Sequence, residues 1–331
     1  MLAGYEIRPY ESGDEAGILE LFNVVFAEHN PAFQPRTMQH WRWAYADNPA
    51  GIRAWVAVKN GQVACHYGSI PSAVQVDGEP GVFQQIVDSM VHPDHRRGLK
   101  HPGLFVETGH RMLEATCGEG RDLISFGWPE PHAWRMGKKF LKYEMVRTQC
   151  FLTRSPLPGP TELPAGVTEL TEFDERVDEL YAACRSRWRA SIRRDAAFLN
   201  WRFPRNPSFE YRILSTEDAE GRLTGVAVFR VADIPIENAG LIVDWLVPPE
   251  ETDAGDLLLE SIACLARAAR VNTMIALFPE WSWWFREFQE RDWLVLPSHY
   301  LMSSGRYNHP KYTMPWLRRN WWYTLAEMDT V

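Results

Sequence analysis

The stretch Trp41 to Pro49 reads WRWAYADNP, and Trp201 to Pro207 reads WRFPRNP. Both run Trp-Arg-aromatic and then Asn-Pro, and their first residues are 160 apart. The likeness continues downstream. Trp55 to Val58, Asn60-Gly61 and Val63 to Tyr67 read as strand, tight turn and strand. Tyr211 to Leu214, a turn through Gly221, and Leu223 to Phe229 repeat that order. Further on, DSMVHP (Asp88 to Pro93) matches DWLVPP (Asp244 to Pro249). A helical pattern follows each, over 104–116 and 257–269, the second with apolar residues at 257, 258, 262, 265 and 269. Each helix leads to an apolar strand ending in Pro-Glu, LISFGWPE and TMIALFPE. The order helix, three strands, helix, strand, helix, strand is therefore written twice. Ordered self-similarity of this length predicts a duplicated fold. The proline-rich run TRSPLPGPTELPAG, residues 153–166, marks the boundary, because proline forbids continuous helix or central strand. The expected domains are 1–152 and 167–331.

At 331 residues the chain has room for two ordinary domains. Its net charge is −8 and neither half is basic, which disfavours a nucleic-acid partner. The five cysteines, at 65, 117, 150, 184 and 264, form no close pair, against a disulfide framework or a zinc site. His92 and His95 have metal-compatible spacing but no matching second pair, so no metal is expected. No basic leader with an apolar core opens the chain, and no apolar run nears the ~20 residues of a membrane span. A soluble cytoplasmic protein without a membrane partner is the expectation. The 15 tryptophans suit cores and substrate clefts alike.

Chemistry concentrates in residues 86–113, IVDSMVHPDHRRGLKHPGLFVETGHRML. A strand over 86–91 enters a loop with Arg96, Arg97, Gly98 and Lys100. Pro102 suits the first turn of the next helix, where its missing N–H costs nothing. Glycine lets backbone N–H groups approach a ligand, the helix N-terminus adds partial positive charge, and three cations stand nearby. Together these make a pyrophosphate cradle.

Strand, VHPDHRRG, then amphipathic helix resembles the central motif of the GNAT acyltransferase superfamily. There a loop of the form Gln/Arg-x-x-Gly-x-Gly/Ala holds the pyrophosphate of acetyl-CoA. The resemblance covers residues 5–150, and the double layout resembles bacterial tandem GNAT proteins with one degenerate copy. It implies an α/β fold of two GNAT-like domains, each a mixed, mostly antiparallel sheet flanked by helices. It implies acetyl-CoA or another acyl-CoA at Met90, Val91, Arg96, Arg97, Gly98, Leu99, Lys100, His101 and Gly103. His95 stands where the motif has Gln or Arg, and Lys100 where it has Gly or Ala. The second copy carries Glu250, Glu251, Asp253 and Asp256 around Gly255, which repel a pyrophosphate.

The family mechanism is direct attack of an amine on the thioester. It needs a base, because a primary amine is mostly protonated at neutral pH, and a backbone N–H near Met90 or Val91 to polarise the carbonyl. Asp88 is the expected base. The family's acid is a Tyr in the helix after the fifth strand; Trp134 stands there, so His132 and Tyr143 are the replacement candidates. The expected partner is an amine on a small molecule or a carrier-bound substrate, with homodimer formation possible. Arg185, Arg189 and Arg193 have the spacing of one helix face, solvated or open to an acidic substrate. Arg42 and Arg202 are expected to tie the repeated segment to carboxylates or carbonyls, and the C-terminal WLRRNWWYTLAEMDTV to close the second domain. The rivals are an inert tandem module that binds CoA or a protein, and an aminoacyl-tRNA-dependent transferase of the Fem type.

Overall fold

The structure, a computed structural model, describes residues 4–28, 33–96, 102–305 and 307–329. The chain opens with β1 (Glu6–Pro9), α1 (Glu15–Ala27) and α2 (Met38–Trp41), which continues as a π-helical turn over Arg42–Ala46. Next come β2 (Arg53–Lys59), β3 (Gln62–Val76), β4 (Glu79–Val91), α3 (Leu104–Thr116), β5 (Ile124–Gly127), α4 (Pro131–Phe140) and β6 (Tyr143–Arg154). The second run is β7 (Val167–Leu170), α5 (Arg176–Arg185), β8 (Ala190–Ile192), α6 (Ala196–Arg202), β9 (Arg212–Glu217), β10 (Leu223–Ala232) and β11 (Ala239–Leu246). It ends with α7 (Thr252–Ala268), β12 (Thr273–Ala276), α8 (Trp283–Glu290), β13 (Leu294–Gly305), α9 (Met314–Asn320) and β14 (Trp321–Trp322). Residues 155–166, rich in proline, lie outside helix and strand.

Two compact units result, and neither is one continuous stretch. The first holds Met1–Ala73, Pro80–Arg147 and Leu301–Leu317; the second holds Val74–Glu79, Thr148–Tyr300 and Arg318–Val331. In the first, β1, β2 and β3 pair antiparallel, β4 lies beside β3, and β4 and β5 run parallel. The Leu301–Gly305 end of β13 then lies antiparallel to β5. In the second, β7, β9, β10 and β11 are antiparallel neighbours, β12 is parallel to β11, and the end of β6 is antiparallel to β12. There β8 pairs with β14 and with Val74–Val76 of β3. The class is mixed α/β, with mostly antiparallel sheets flanked by helices.

The local reasons are visible in the residues. Asn60 and Gly61 both take positive φ, 51° and 80°, as a two-residue hairpin turn between right-twisted strands requires. Asp77 and Gly78, at 53° and 89°, do the same between β3 and β4. Most tryptophans serve the cores: Trp41 and Trp43 in the first unit, Trp201, Trp245, Trp284, Trp293, Trp321 and Trp322 in the second, are buried. The repeated Asn-Pro also has one structural job. Asn48 Oδ1 accepts the Ala50 N–H at 2.8 Å, and Asn206 Oδ1 accepts the Ser208 N–H at 2.9 Å. Each caps the turn that leaves the helical segment.

Some expectations change. Arg185 ends α5 while Arg189 and Arg193 lie beyond it, so the three do not share a helix face; Ser186 caps the helix and a turn through Arg187 leads toward β8. Arg189 pairs with Asp77 and Arg193 with Asp195. Arg202 is buried and donates to the carbonyls of Ala326 and Met328, whereas Arg42 is exposed. The C-terminal stretch forms α9, β14 and a 3-10 turn, Leu325–Glu327. Among the described residues no helix is long and apolar enough to cross a membrane, and no cluster of three or more His, Cys, Asp or Glu is placed to hold a metal.

Candidate active site

In the first unit β4 and β5 pair only from Phe83/Ile124 to Gln85/Phe126. β5 ends at Gly127, while β4 runs on to Val91. Between these points Asp88 takes φ +50°, a left-handed conformation rare for a residue inside a strand. It kinks β4 as a bulge does. Past the kink the His92 N–H donates to the Ala64 carbonyl of β3. Successive strand residues face opposite neighbours, so the Val91 N–H points away from β3, toward the side that β5 has vacated. Strand alternation thus turns a backbone donor toward the mouth of a gap between two parallel strands.

A polar network fills one face of the sheet beside the kink. Arg36 Nη1 donates to Asp88 Oδ2 at 2.7 Å, and Tyr45 Oη donates to the same oxygen at 2.8 Å. Arg36 is placed by Asn23 of α1, whose amide bonds both the backbone N–H and C=O of Arg36, and by Phe22, whose ring lies 3.7 Å below the guanidinium. Tyr45 sits on the π-helical turn that the WRWAY segment forms. Burial alone would raise the Asp88 carboxyl, but the charge of Arg36 and the hydrogen bonds from Tyr45 and Arg36 hold it below its ordinary value. The Asp88 backbone carbonyl, turned by the kink, meets His66 Nδ1 at 2.8 Å. His66 is fully buried on β3, and burial, foremost, depresses its pKa.

Residues 6–132 match the family described as "Acetyltransferase (GNAT) domain". This part of the chain is a GNAT domain. No curated protein matches the chain significantly. Among solved structures, it resembles a probable N-acyltransferase from Enterococcus faecalis: 14% identity, TM-score 0.63, covering 90% of this chain and 72% of that one. It also resembles Saccharomyces cerevisiae N-myristoyltransferase with bound myristoyl-CoA: 14% identity, TM-score 0.58, covering 92% and 80%. A GCN5-related N-acetyltransferase from Anabaena variabilis gives 12% identity, TM-score 0.60, and 91% and 72% coverage. At these identities the likeness is one of fold, a GNAT acyltransferase fold.

Within the GNAT domain the predicted site residues fall in different places. Asp88 is at the kink, as a counter-ion to Arg36. Met90 is buried, and Val91 packs against a small core of Ala57, Ala64, Cys65 and Leu104. Arg96 is engaged: Nε donates to the Val91 carbonyl at 3.0 Å and Nη1 meets Glu28 at 2.7 Å. Gly103 is the N-cap of α3, its carbonyl accepting from Val106 and Glu107 and the space above its Cα open. Pro102 therefore precedes the cap rather than opening the helix. Arg97, Gly98, Leu99, Lys100 and His101 lie outside the described residues.

His132 is exposed on the first turn of α4. Tyr143 is buried at the start of β6, its hydroxyl hydrogen-bonded to that of Tyr67, and burial lifts its pKa to about 12. Its ring lies against Gly137 of α4, where a Cβ would stand 2.1 Å from it. It packs with Tyr67, Met112 and Leu113 in the core, with Trp134 at the edge. The structure brings Asp88, Met90 and Val91 together and leaves His132 and Tyr143 on other elements. Sequence reasoning missed Arg36, Tyr45 and His66. Only Arg36 had a signal, its position one residue before a helix cap in both repeats.

The second unit repeats this frame with different contents. Arg194 also stands one residue before a cap, Asp195, and its guanidinium meets Asp244 on β11 at 3.3 Å. β10 and β11 slip register between Val228 and Phe229, opposite Asp244 and Ile242, so a bulge sits next to this aspartate as well. β11 and β12 pair only to Ile242/Ala276. Here, however, Trp284 of α8 donates its indole N–H to the Val247 carbonyl at 2.8 Å. Its ring reaches Gly255 on the first turn of α7, where a Cβ would stand 2.7 Å from it. The space between strand end and helix start is filled by an indole.

Proposed function

We propose that the chain is an acyl-CoA-dependent N-acyltransferase whose GNAT domain holds the donor and transfers the acyl group directly to an amine. The observation that carries this reading is the gap beyond Gln85 and Phe126, into which strand alternation from the His92–Ala64 bond would turn the Val91 N–H. A thioester carbonyl placed there would meet a fixed backbone donor, which stabilises the developing oxyanion without reorganisation. The basic loop 96–101 and the N-terminus of α3, capped by Gly103, would take the pyrophosphate. The donor is acetyl-CoA or a longer acyl-CoA; the Saccharomyces cerevisiae structure, with myristoyl-CoA bound, shows that this fold admits a long chain. The acceptor is an amine of a small molecule or of a carrier-bound substrate.

We read the second unit as a duplicate that has lost the donor site. The Arg194–Asp244 pair and its bulge repeat the Arg36–Asp88 frame, but Trp284 fills the place of the donor and Glu250, Glu251, Asp253 and Asp256 replace the basic loop. His132 is the proposed acid for the leaving thiolate. Tyr143, committed to Tyr67, is a poor one. A second reading, an inert CoA-binding module, is favoured by Trp134 standing where the family's acid would be. The two are separated by following thiol release from acetyl-CoA and myristoyl-CoA with ethanolamine, spermidine and an amino-acid mixture as acceptors. Acceptor-dependent release supports the enzyme. Donor binding without release in any mixture supports the module.

A further inference from the structure

We propose that His66 is the general base of the GNAT domain, its Nε2 taking the proton of the acceptor amine, a role that rests on the acyltransfer reading above. The sequence points to Asp88 for this task, but the Asp88 carboxylate is already engaged. Arg36 and Tyr45 both donate to its Oδ2, and their attraction disfavours protonation. Asp88 acts instead through its backbone. A carbonyl oxygen can only accept, so the 2.8 Å contact with His66 Nδ1 puts the ring proton on Nδ1. In the neutral ring the basic lone pair then lies on Nε2.

That nitrogen has no partner. Nε2 is buried and makes no hydrogen bond among the described residues. An unsatisfied buried acceptor carries an uncompensated desolvation cost, so a purely structural histidine would be expected to use both nitrogens. Gly68, two residues along the same strand face, adds no side chain of its own beside this nitrogen, and the Tyr45 hydroxyl borders the same space. A Cβ there would stand 3.1 Å from Nε2 and 2.5 Å from Cε1. The ionisable groups facing the imidazole are Asp88, Arg36 and Tyr45. Burial, with Arg36, keeps the ring neutral, and Asp88 opposes them, so the lone pair is available at neutral pH.

The step balances without a co-reactant. The amine nitrogen gives one proton to Nε2 and its electron pair to the thioester carbon. The C–N bond forms, the C–S bond breaks, and the thiolate leaves. The imidazolium then returns its proton through solvent, so that free CoA leaves as the thiol and His66 is neutral again. Asp88 is a positioning residue in this scheme. Its kinked backbone fixes which nitrogen of His66 is basic.

The test combines kinetics with the tautomer. Thiol release from acetyl-CoA, with the best of the named amines as acceptor, is measured for wild type and His66→Gln from about pH 4.5 to 9, because burial places the His66 limb below its ordinary position. Acetyl-CoA binding and thermal unfolding are measured on the same samples. The glutamine amide can still donate to the Asp88 carbonyl, so fold and donor affinity should hold while turnover falls about 10²–10⁴-fold. The acid limb of the wild-type pH profile should vanish. Nitrogen-15 NMR of ring-labelled wild type should show the proton on Nδ1 and an unprotonated Nε2. A folded His66→Gln with wild-type turnover and pH profile would overturn the assignment while leaving acyl transfer intact. A proton on Nε2 would overturn it whatever the activity. Wild type that binds acetyl-CoA yet transfers to no amine would overturn the acyltransfer reading, and this role with it.

Discussion

Arg36 and Asp88 are joined across 2.7 Å, the arginine one residue before the cap of α2 and the aspartate at the kink of β4. Arg194 and Asp244 hold the same two positions in the second unit. The first pair is partly open, with the Arg36 side chain 22% exposed and that of Asp88 8%. It stands beside a histidine with a vacant nitrogen. The second is sealed, at 0% and 3%, and shares its arginine with Glu327. One framework is thus partly open in one unit and sealed in the core of the other.

The Asp88 pair should show in the pH dependence of stability. A carboxyl whose folded pKa is depressed stabilises above its unfolded pKa, about 4, and loses that contribution as pH falls through the folded value. Asp88→Asn should therefore cost roughly 1–3 kcal/mol at pH 7, with the difference from wild type shrinking below about pH 4. Denaturant unfolding at several pH values checks this. A difference that stays constant with pH would show that the carboxylate's charge does not matter.

In the second unit, removing Arg194 leaves Asp244 and Glu327 buried without their cation. Burial, aided by Asp244, already lifts the Glu327 carboxyl against the pull of Arg194. Arg194→Met should destabilise by about 3–5 kcal/mol at neutral pH, the usual cost of breaking a buried charge cluster. Because the lesion is structural, turnover per folded molecule should be unchanged.

Gly68 gives a third prediction. A methyl there would meet His66 Cε1 at 2.5 Å and Tyr45 Oη at 2.7 Å. Gly68→Ala should cost about 1–3 kcal/mol by overpacking and should depress turnover more than acetyl-CoA affinity, since it displaces the imidazole and not the donor loop. Equal losses in both would place Gly68 in the donor site instead.

Much of this fold could be read from pattern. The apolar spacing of 104–116 became α3 with the same bounds, and Asn60-Gly61 became the hairpin turn its positive φ values demand. The site was less legible, because its groups meet through long-range geometry. Nothing near His66 in the sequence shows that its Nδ1 will find a carbonyl 22 residues away, exposed by a kink at Asp88. Pro102 stands two positions before the first helical residue, Leu104, because Gly103 took the cap. The regular spacing of Arg185, Arg189 and Arg193 suggested a helix that ends at Arg185, since periodicity carries no information about where tertiary packing stops an element. Composition by halves also cannot reveal that residues 301–317 complete the first unit, since strand pairing is set by the fold and not by chain order.

The central claim is that the GNAT domain alone holds acyl-CoA. Calorimetric titration with acetyl-CoA tests it most directly, using wild type and the double variant Arg97→Glu with Lys100→Glu. One site per chain, lost in the double variant while unfolding temperature is kept, is the predicted result. Two equivalent sites, no site, or a site indifferent to both charge reversals would contradict it.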